Sequence, residues 1–217
     1  MKIEVTLLCS NKAHPIYPVL EKWCQCNQEK VKANLLNNVD SIKVGGDILF
    51  LISCSEIVPE SIRRKFSYSL VIHASDLPHG RGWSPHIWDI VSGKDNITVS
   101  LLNAEDKVDT GEIWQKRYIN LNGLELYDEI NALLFEAETD LISWACLNLS
   151  TSMPIPQGNG TPSYYKKRTQ ADSEIDINKS IKDQFNLLRV CDPDRYPAFF
   201  EYKGQKFKLK IEKHDEK

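Results

Sequence analysis

The chain reads as an α/β fold: a Rossmann-like, mostly parallel sheet with flanking helices, extended at its C-terminus by a small helix and hairpin. Three observations predict this. Short apolar runs suited to strands alternate with stretches whose apolar residues recur at helical spacing. The runs at 47–53 and 68–73 are apolar nearly throughout, as strands covered on both faces are. At 217 residues, the chain can bury one full core with a small appendage. The expected division is a core over 1–149 and a linker with a small extension over 150–217.

Taken in order, residues 2–8 form a strand that carries Glu4 and so is not a secretory signal. Residues 15–26 form a helix opened by Pro15 and Pro18. Residues 29–44 have no decisive pattern. Gly45-Gly46 then introduces the strand at 47–53. A short helix at 59–66 leads into the strand at 68–73, which ends on His73. Residues 85–92 form a helix with Pro85 in its first turn, and 96–102 and 112–119 are strands. The long helix at 123–149 places Leu124, Leu126, Ile130, Leu133, Leu134, Ala137, Leu141 and Trp144 at helical spacing. Residues 150–163, rich in Ser, Thr, Pro and Gly, read as loop or linker. A helix at 178–191 and a hairpin at 199–210, turned at Lys203-Gly204, complete the order. The charged tail at 212–217 is expected to fray.

Composition narrows the function. With 30 acidic and 27 basic residues the net charge is -3, without the basic excess that marks nucleic-acid binders. No apolar run approaches the ~20 residues of a membrane span, so the expectation is a cytoplasmic protein with neither membrane nor nucleic acid as partner. Six cysteines, at 9, 24, 26, 54, 146 and 191, lack the paired spacing of zinc sites. They read as reduced, mostly buried thiols, and no metal is expected.

The stretch from His73 to Pro85 carries the chemistry. A titratable imidazole ends an apolar strand, where open α/β sheets place ligands. Leu77-Pro78 fixes a turn, Gly80 and Gly82 permit close backbone approach, and Arg81 adds a permanent cation. Asp109, just before Thr110-Gly111, is placed to meet His73 across the sheet edge and orient its ring.

The pattern His73-x-Ser75-x-Leu77-Pro78-x-x-Arg81-Gly82, followed by Asp109-x-Gly111, resembles the signature of folate-dependent N-formyltransferases. The resemblance covers roughly residues 47–145. The segment Tyr164-Tyr165-Lys166-Lys167-Arg168-Thr169, with Asp172-Ser173-x-Ile175-Asp176, resembles the region after the core in the sugar-nucleotide members. So does Asn186 to Asp192 taken with Tyr196-Pro197-Ala198-Phe199. The nearest type is that of the pseudaminic-acid pathway, which formylates an amino sugar carried on UDP.

The resemblance implies transfer of formyl from 10-formyltetrahydrofolate to the amine of a nucleotide-linked amino sugar, UDP being favoured over dTDP. A neutral amine attacks the formyl carbon and a tetrahedral oxyanion forms. His73 then hydrogen-bonds that oxygen or shuttles a proton to the leaving nitrogen, while Asp109 fixes the imidazole and takes the amine's proton. The alternatives are a methionyl-tRNA formyltransferase and a non-catalytic folate- or nucleotide-sugar-binding homologue. A small second lobe fits a homodimer.

The cofactor slot would be lined by Ile52, Ser53, Cys54, Ser55 and Ile57, and by the turn Ser75, Asp76, Leu77 and Pro78. The loop carrying Asn103, Glu105 and Asp106 would close it. Arg81, Gly82, Trp83, His86 and Trp114 form a basic-aromatic set suited to the acceptor. Tyr164, Tyr165 and Arg168 would cover the acceptor or make a dimer contact, while Trp23, Trp88 and Trp144 read as core. One departure stands out. The family has asparagine two residues before the histidine, holding the formyl oxygen, and this chain has Val71. A backbone N–H, a hydroxyl of Ser53, Ser55 or Ser75, or His73 itself would take over, or catalysis would be lost.

Overall fold

The computed structural model describes residues 2–214, so residues 215–217 of the charged tail lie outside the described residues. Strands β1 (Ile3–Leu8), β2 (Val31–Leu36), β3 (Gly46–Ile52) and β4 (Phe66–His73) run parallel. The short strand β5 (Arg81–Gly82) lies outside this sheet, while β6 (Asn96–Asn103) and β7 (Ile113–Asn120) join it antiparallel. The sheet order is β2-β1-β3-β4-β6-β7. From β1 the chain goes first to one neighbour and then to the other, so the carboxyl ends of β1 and β3 frame the crevice typical of such sheets.

Helices α1 (Tyr17–Cys26), α2 (Glu60–Arg63), α3 (Pro85–Val91) and α4 (Tyr127–Asn148) connect and cover the strands. Helix α1 starts with a proline in its first turn and buries Tyr17, Leu20 and Trp23. Helix α4 turns Ile130, Leu134, Leu141, Ile142 and Ala145 onto the core, and the Glu129 carboxylate accepts the orphan Leu126 N–H at 2.8 Å. The undecided 29–44 stretch contains β2, which pairs in register with β1 (Ile3 against Val31). It is an edge strand that alternates wet and dry only partly, which hides its period. Of the expected helix at 59–66, only the single turn of α2 forms, because Phe66 is buried as the first residue of β4.

Beyond the core lie a two-residue strand β8 (Tyr164–Tyr165), helix α5 (Ile181–Arg189) and the hairpin β9 (Ala198–Tyr202) and β10 (Gln205–Leu209). Ser180 caps α5 by accepting from Asp183 N–H at 3.1 Å. Lys203 and Gly204 have φ of 51° and 77°, the two left-handed positions of a tight hairpin turn. This extension docks on the start of α4. The Tyr127 hydroxyl donates to Asp192 at 2.7 Å and accepts from Arg195 at 2.9 Å. The fully buried Arg189 guanidinium lies 3.5 Å from Glu125.

All six cysteines are free, but only Cys9 and Cys191 are buried; Cys24, Cys54 and Cys146 are half-buried and Cys26 is exposed. Among the described residues, no helix is long and apolar enough to cross a membrane.

One core residue breaks the pattern. Glu138 is 5% exposed on the inner face of α4, with Oε2 unpartnered among the described residues. Burial pushes its carboxyl up to about 8, from an ordinary 4.5. The folded state therefore holds this proton up to about pH 8, whereas the unfolded chain loses it near 4.5. Its contribution is complete below the unfolded value and declines as pH rises toward the folded one, costing about 3 kcal/mol by pH 7. Glu138→Gln is expected to raise Tm at pH 7–8 and leave it unchanged near pH 4. Equal shifts at both pH values in a thermal melt would contradict this account.

Candidate active site

Strand β4 delivers His73 to the carboxyl end of the parallel strands. The chain then turns through Ser75 and a cis Leu77-Pro78 bond into Gly80 and Gly82, whose φ values are 73° and 96°. Only glycine fits at 82, where a Cβ would lie 2.5 Å from the Tyr165 carbonyl oxygen. The turn brings the Gly80 carbonyl back onto His73, which donates from Nε2 at 2.9 Å. Asp109 approaches the same nitrogen, with Oδ2 at 3.6 Å. That is ion-pair range but longer than a hydrogen bond. Oδ2 also accepts the Gly82 N–H at 2.9 Å. Both side chains are buried, at 10% and 5% exposure, so charge on either is poorly screened by water. Asp109 adopts a φ of 56°, a left-handed conformation that Asp and Asn tolerate better than most residues.

The stretch 150–163 is loop, as its composition suggests, and with the residues after it forms a strap across the site. Ile155 exchanges two 2.8 Å backbone hydrogen bonds with Ile113 at the start of β7. The Gln157 carboxamide donates to the carbonyls of Asp109 and Gly111, each at 2.9 Å, and accepts from Arg81 at 2.6 Å. Ser163 accepts the Gly80 N–H through its hydroxyl and the Arg81 N–H through its carbonyl. Strand β8 then pairs with β5, Arg81 facing Tyr164 and Gly82 facing Tyr165. The Tyr165 hydroxyl donates to Asp89 at 2.6 Å, and Trp88 stacks on the Tyr165 ring. Sequence reading passed over Gln157, Ser163 and Asp89. Two-residue pairing leaves no periodic signal, and a carboxamide in a polar loop resembles any solvated residue. Trp88, read as core, instead anchors the strap by donating to the Lys166 carbonyl at 3.1 Å.

The acceptor set divides. Arg81 is 7% exposed; its Nη atoms are spent on Gln157 and Tyr164, and Nε has no partner among the described residues. Trp83 is 41% exposed, with Lys167 Nζ 4.6 Å from its ring centroid. His86 is half-buried with Nδ1 unpartnered among the described residues, and burial, with His73 and His14 nearby, pulls it down to about 4. It is therefore neutral at physiological pH. Trp114 packs edge-on against Tyr68, 5.7 Å between centroids, and donates to Asn103 at 2.7 Å. No hydrogen bond, ring stacking or cation–π pair joins it to Trp83 or Arg81 among the described residues.

At the end of β3, Ile52 is fully buried, while Ser53 has a φ of 47°. Burial pushes the Cys54 thiol up, the Ser55 hydroxyl pairs with Ser10 at 3.0 Å, and Ile57 stands 83% exposed. Asp106 of the 104–112 loop pairs with Arg63 at the end of α2, and Glu105 is exposed. Asp76 meets Lys116 at 2.5 Å. Leu77 is buried in a small cluster with Leu102 and Ile113, and Val71 packs against it. By strand alternation Val71 shares a face with His73. Of the three candidate hydroxyls, only that of Ser75 is both buried and unpartnered among the described residues. No group of three His, Cys, Asp or Glu suited to a metal ion occurs among the described residues.

A buried imidazole–carboxylate pair at a strand end, with a glycine turn and a strap around it, is the candidate site of this α/β fold. The chain belongs to the formyl transferase family, whose model matches residues 4–145. Among curated relatives, it is 29% identical over 194 residues to methionyl-tRNA formyltransferase of Rickettsia typhi, a match covering 88% of this chain and 61% of that one. The chain thus spans about three-fifths of the length of that relative. Two solved structures share the fold. Methionyl-tRNA formyltransferase from Clostridium thermocellum superposes with a TM-score of 0.82 at 21% identity, covering 98% of this chain and 94% of that one. A sugar N-formyltransferase from a Shewanella species gives 0.74 at 16% identity, covering 99% of each.

Proposed function

We propose that this chain moves a formyl group from 10-formyltetrahydrofolate to the amine of a nucleotide-linked amino sugar, with UDP as the preferred nucleotide. The observation that carries the reading is the buried His73–Asp109 pair, with the exposed Trp83–Lys167 face beginning one residue beyond Gly82. The segment after β3 and the 104–112 loop suit a pterin-like ring: Ile57 and Val108 are exposed and apolar, and Asp106 ties its loop to Arg63 of α2. When bound, the folate supplies the formyl group, carried on a nitrogen.

The protein's part is to manage charge. The His73 Nε2–H is held by the Gly80 carbonyl, so we assign Nδ1, carrying a proton as the imidazolium, to the formyl oxygen where negative charge grows, a contact worth far more in a dry site than in water. Asp109 Oδ2 is committed to Gly82, and Oδ1 accepts no hydrogen bond from the described residues. That leaves Oδ1 to take the proton an attacking amine must shed. With Val71 in place of an amide, we assign the second donor to the Ser75 hydroxyl, which leaves the same turn as His73. A face of exposed tryptophan and lysine suits a nucleobase and a diphosphate.

Methionyl-tRNA as acceptor is the second reading, favoured by the Rickettsia typhi relative. The test incubates the protein and its Ser75→Ala variant with 10-formyltetrahydrofolate and UDP- and dTDP-linked amino sugars, or initiator methionyl-tRNA, following release of tetrahydrofolate. Turnover with a UDP-linked sugar, reduced by about 10²-fold in the variant, is expected. Turnover with the tRNA alone would replace the sugar reading, and folate binding without turnover on any acceptor would make the chain a binding protein. Full activity in Ser75→Ala would remove that residue from the mechanism.

A further inference from the structure

We propose that Gln157 is a positioning residue of the His73–Asp109 pair. Its carboxamide sets the Asp109 carboxylate against the imidazole and couples it to Arg81. The inference rests on the formyl-transfer reading for its kinetic test but not for its spectroscopic one.

Gln157 belongs to none of the motifs that identify the site, yet both its N–H groups and its carboxamide oxygen bond there. One N–H goes to the Asp109 carbonyl and the other to the Gly111 carbonyl, both at 2.9 Å, while Oε1 accepts from Arg81 Nη2 at 2.6 Å. The orientation of the amide is dictated by its partners. Two carbonyls require the NH2 end and a guanidinium requires the oxygen, so a flipped amide would face repulsion on all three contacts.

The contacts fall where the backbone needs them. Asp109 holds a left-handed φ of 56°, a conformation uncommon outside glycine that the surrounding contacts must maintain. Two carbonyls pinned to one amide hold residues 109–111 in that bend. The bend in turn aims Oδ2 at His73 and at the Gly82 N–H, 3.6 and 2.9 Å away. Arg81, on the other side of the same amide, lies between Gly80 and Gly82, whose carbonyl and N–H hold His73 and Asp109. One side chain therefore fixes both members of the pair. Elsewhere the strap holds Ile113 of β7, the turn and Asp89 of α3, whereas Gln157 is the strap residue that joins the turn to the Asp109 loop through its side chain among the described residues.

The kinetic test compares Gln157→Ala, Gln157→Glu, Asp109→Asn and the double variant Gln157→Ala/Asp109→Asn. Misplacing a reacting group by about 1 Å costs on the order of 10²-fold. Gln157→Ala is expected to lower kcat by that order with both KM values nearly unchanged. Gln157→Glu, which keeps the oxygen for Arg81 but offers the carbonyls no N–H, is expected to lose as much. In the Asp109→Asn background, Gln157→Ala is expected to cost nothing further, because the group it positions is already disabled. A merely structural role would instead lower Tm and multiply the losses. The spectroscopic arm tracks the Gly82 amide by NMR, since its N–H reports the Asp109 carboxylate directly. Gln157→Ala must shift that signal. An unmoved Gly82 amide, a wild-type kcat, or full multiplicativity in the double variant overturns the proposal. A wild-type protein inactive on every acceptor, whose Gly82 amide still responds to Gln157→Ala, overturns the formyl-transfer reading and leaves the positioning role standing.

Discussion

Replacing His73 with asparagine is expected to reduce kcat by about 10³-fold or more, with folate binding retained. The imidazole is buried and its Nε2 faces both the Gly80 carbonyl and Asp109. General acid–base groups contribute typically 10²–10⁴-fold, and a donor aimed at a growing negative charge adds about another 10²-fold. Asparagine keeps a polar group near the Gly80 carbonyl, so the loss reads on chemistry more than on folding. The measurement is single-turnover formyl transfer together with folate binding by fluorescence. An asparagine variant within tenfold of wild type would remove His73 from the reaction.

Asp109→Asn is expected to cost about 10²–10⁴-fold in kcat, as when a neutral amide replaces the carboxylate that orients a catalytic imidazole. The substitution is nearly isosteric. Asparagine tolerates the left-handed φ of 56° at least as well as aspartate, and its oxygen still accepts the Gly82 N–H. What disappears is the negative charge beside His73 and the oxygen able to take a proton. Tm is therefore expected to stay within a degree or two while kcat falls. Matched losses in Tm and activity would point to scaffolding, and full activity would show that the pair does not act together.

The core was legible because its signals are local or periodic. Strands β3 and β4 announce themselves as apolar runs, and α4 as a helical stripe. The site's first members were legible for a related reason: His73, Leu77-Pro78, Gly80 and Gly82 lie within ten residues, so turn chemistry and spacing meet in one motif. Asp109 lay within reach because a carboxylate before Thr110-Gly111 stands at a strand entrance. Strand β2 stayed undecided because an edge strand wet on part of both faces loses its alternation. Glu138 drew no attention because its burial depends on which side of α4 meets the sheet.

Sequence alone determined the layered α/β class, and it marked the strand end, the imidazole and the carboxylate that we propose carry the chemistry. Those features are encoded in residue type and short-range spacing. Only the tertiary structure decided what surrounds them. It placed Arg81 in the interior, Trp114 on the sheet beside Tyr68, and Val71 against an apolar cluster. It also laid the 155–165 strap over the turn, with Gln157 joining Asp109 to Arg81. Contacts between residues some 50 to 80 positions apart leave no periodic trace in the chain, because their partners are chosen by packing.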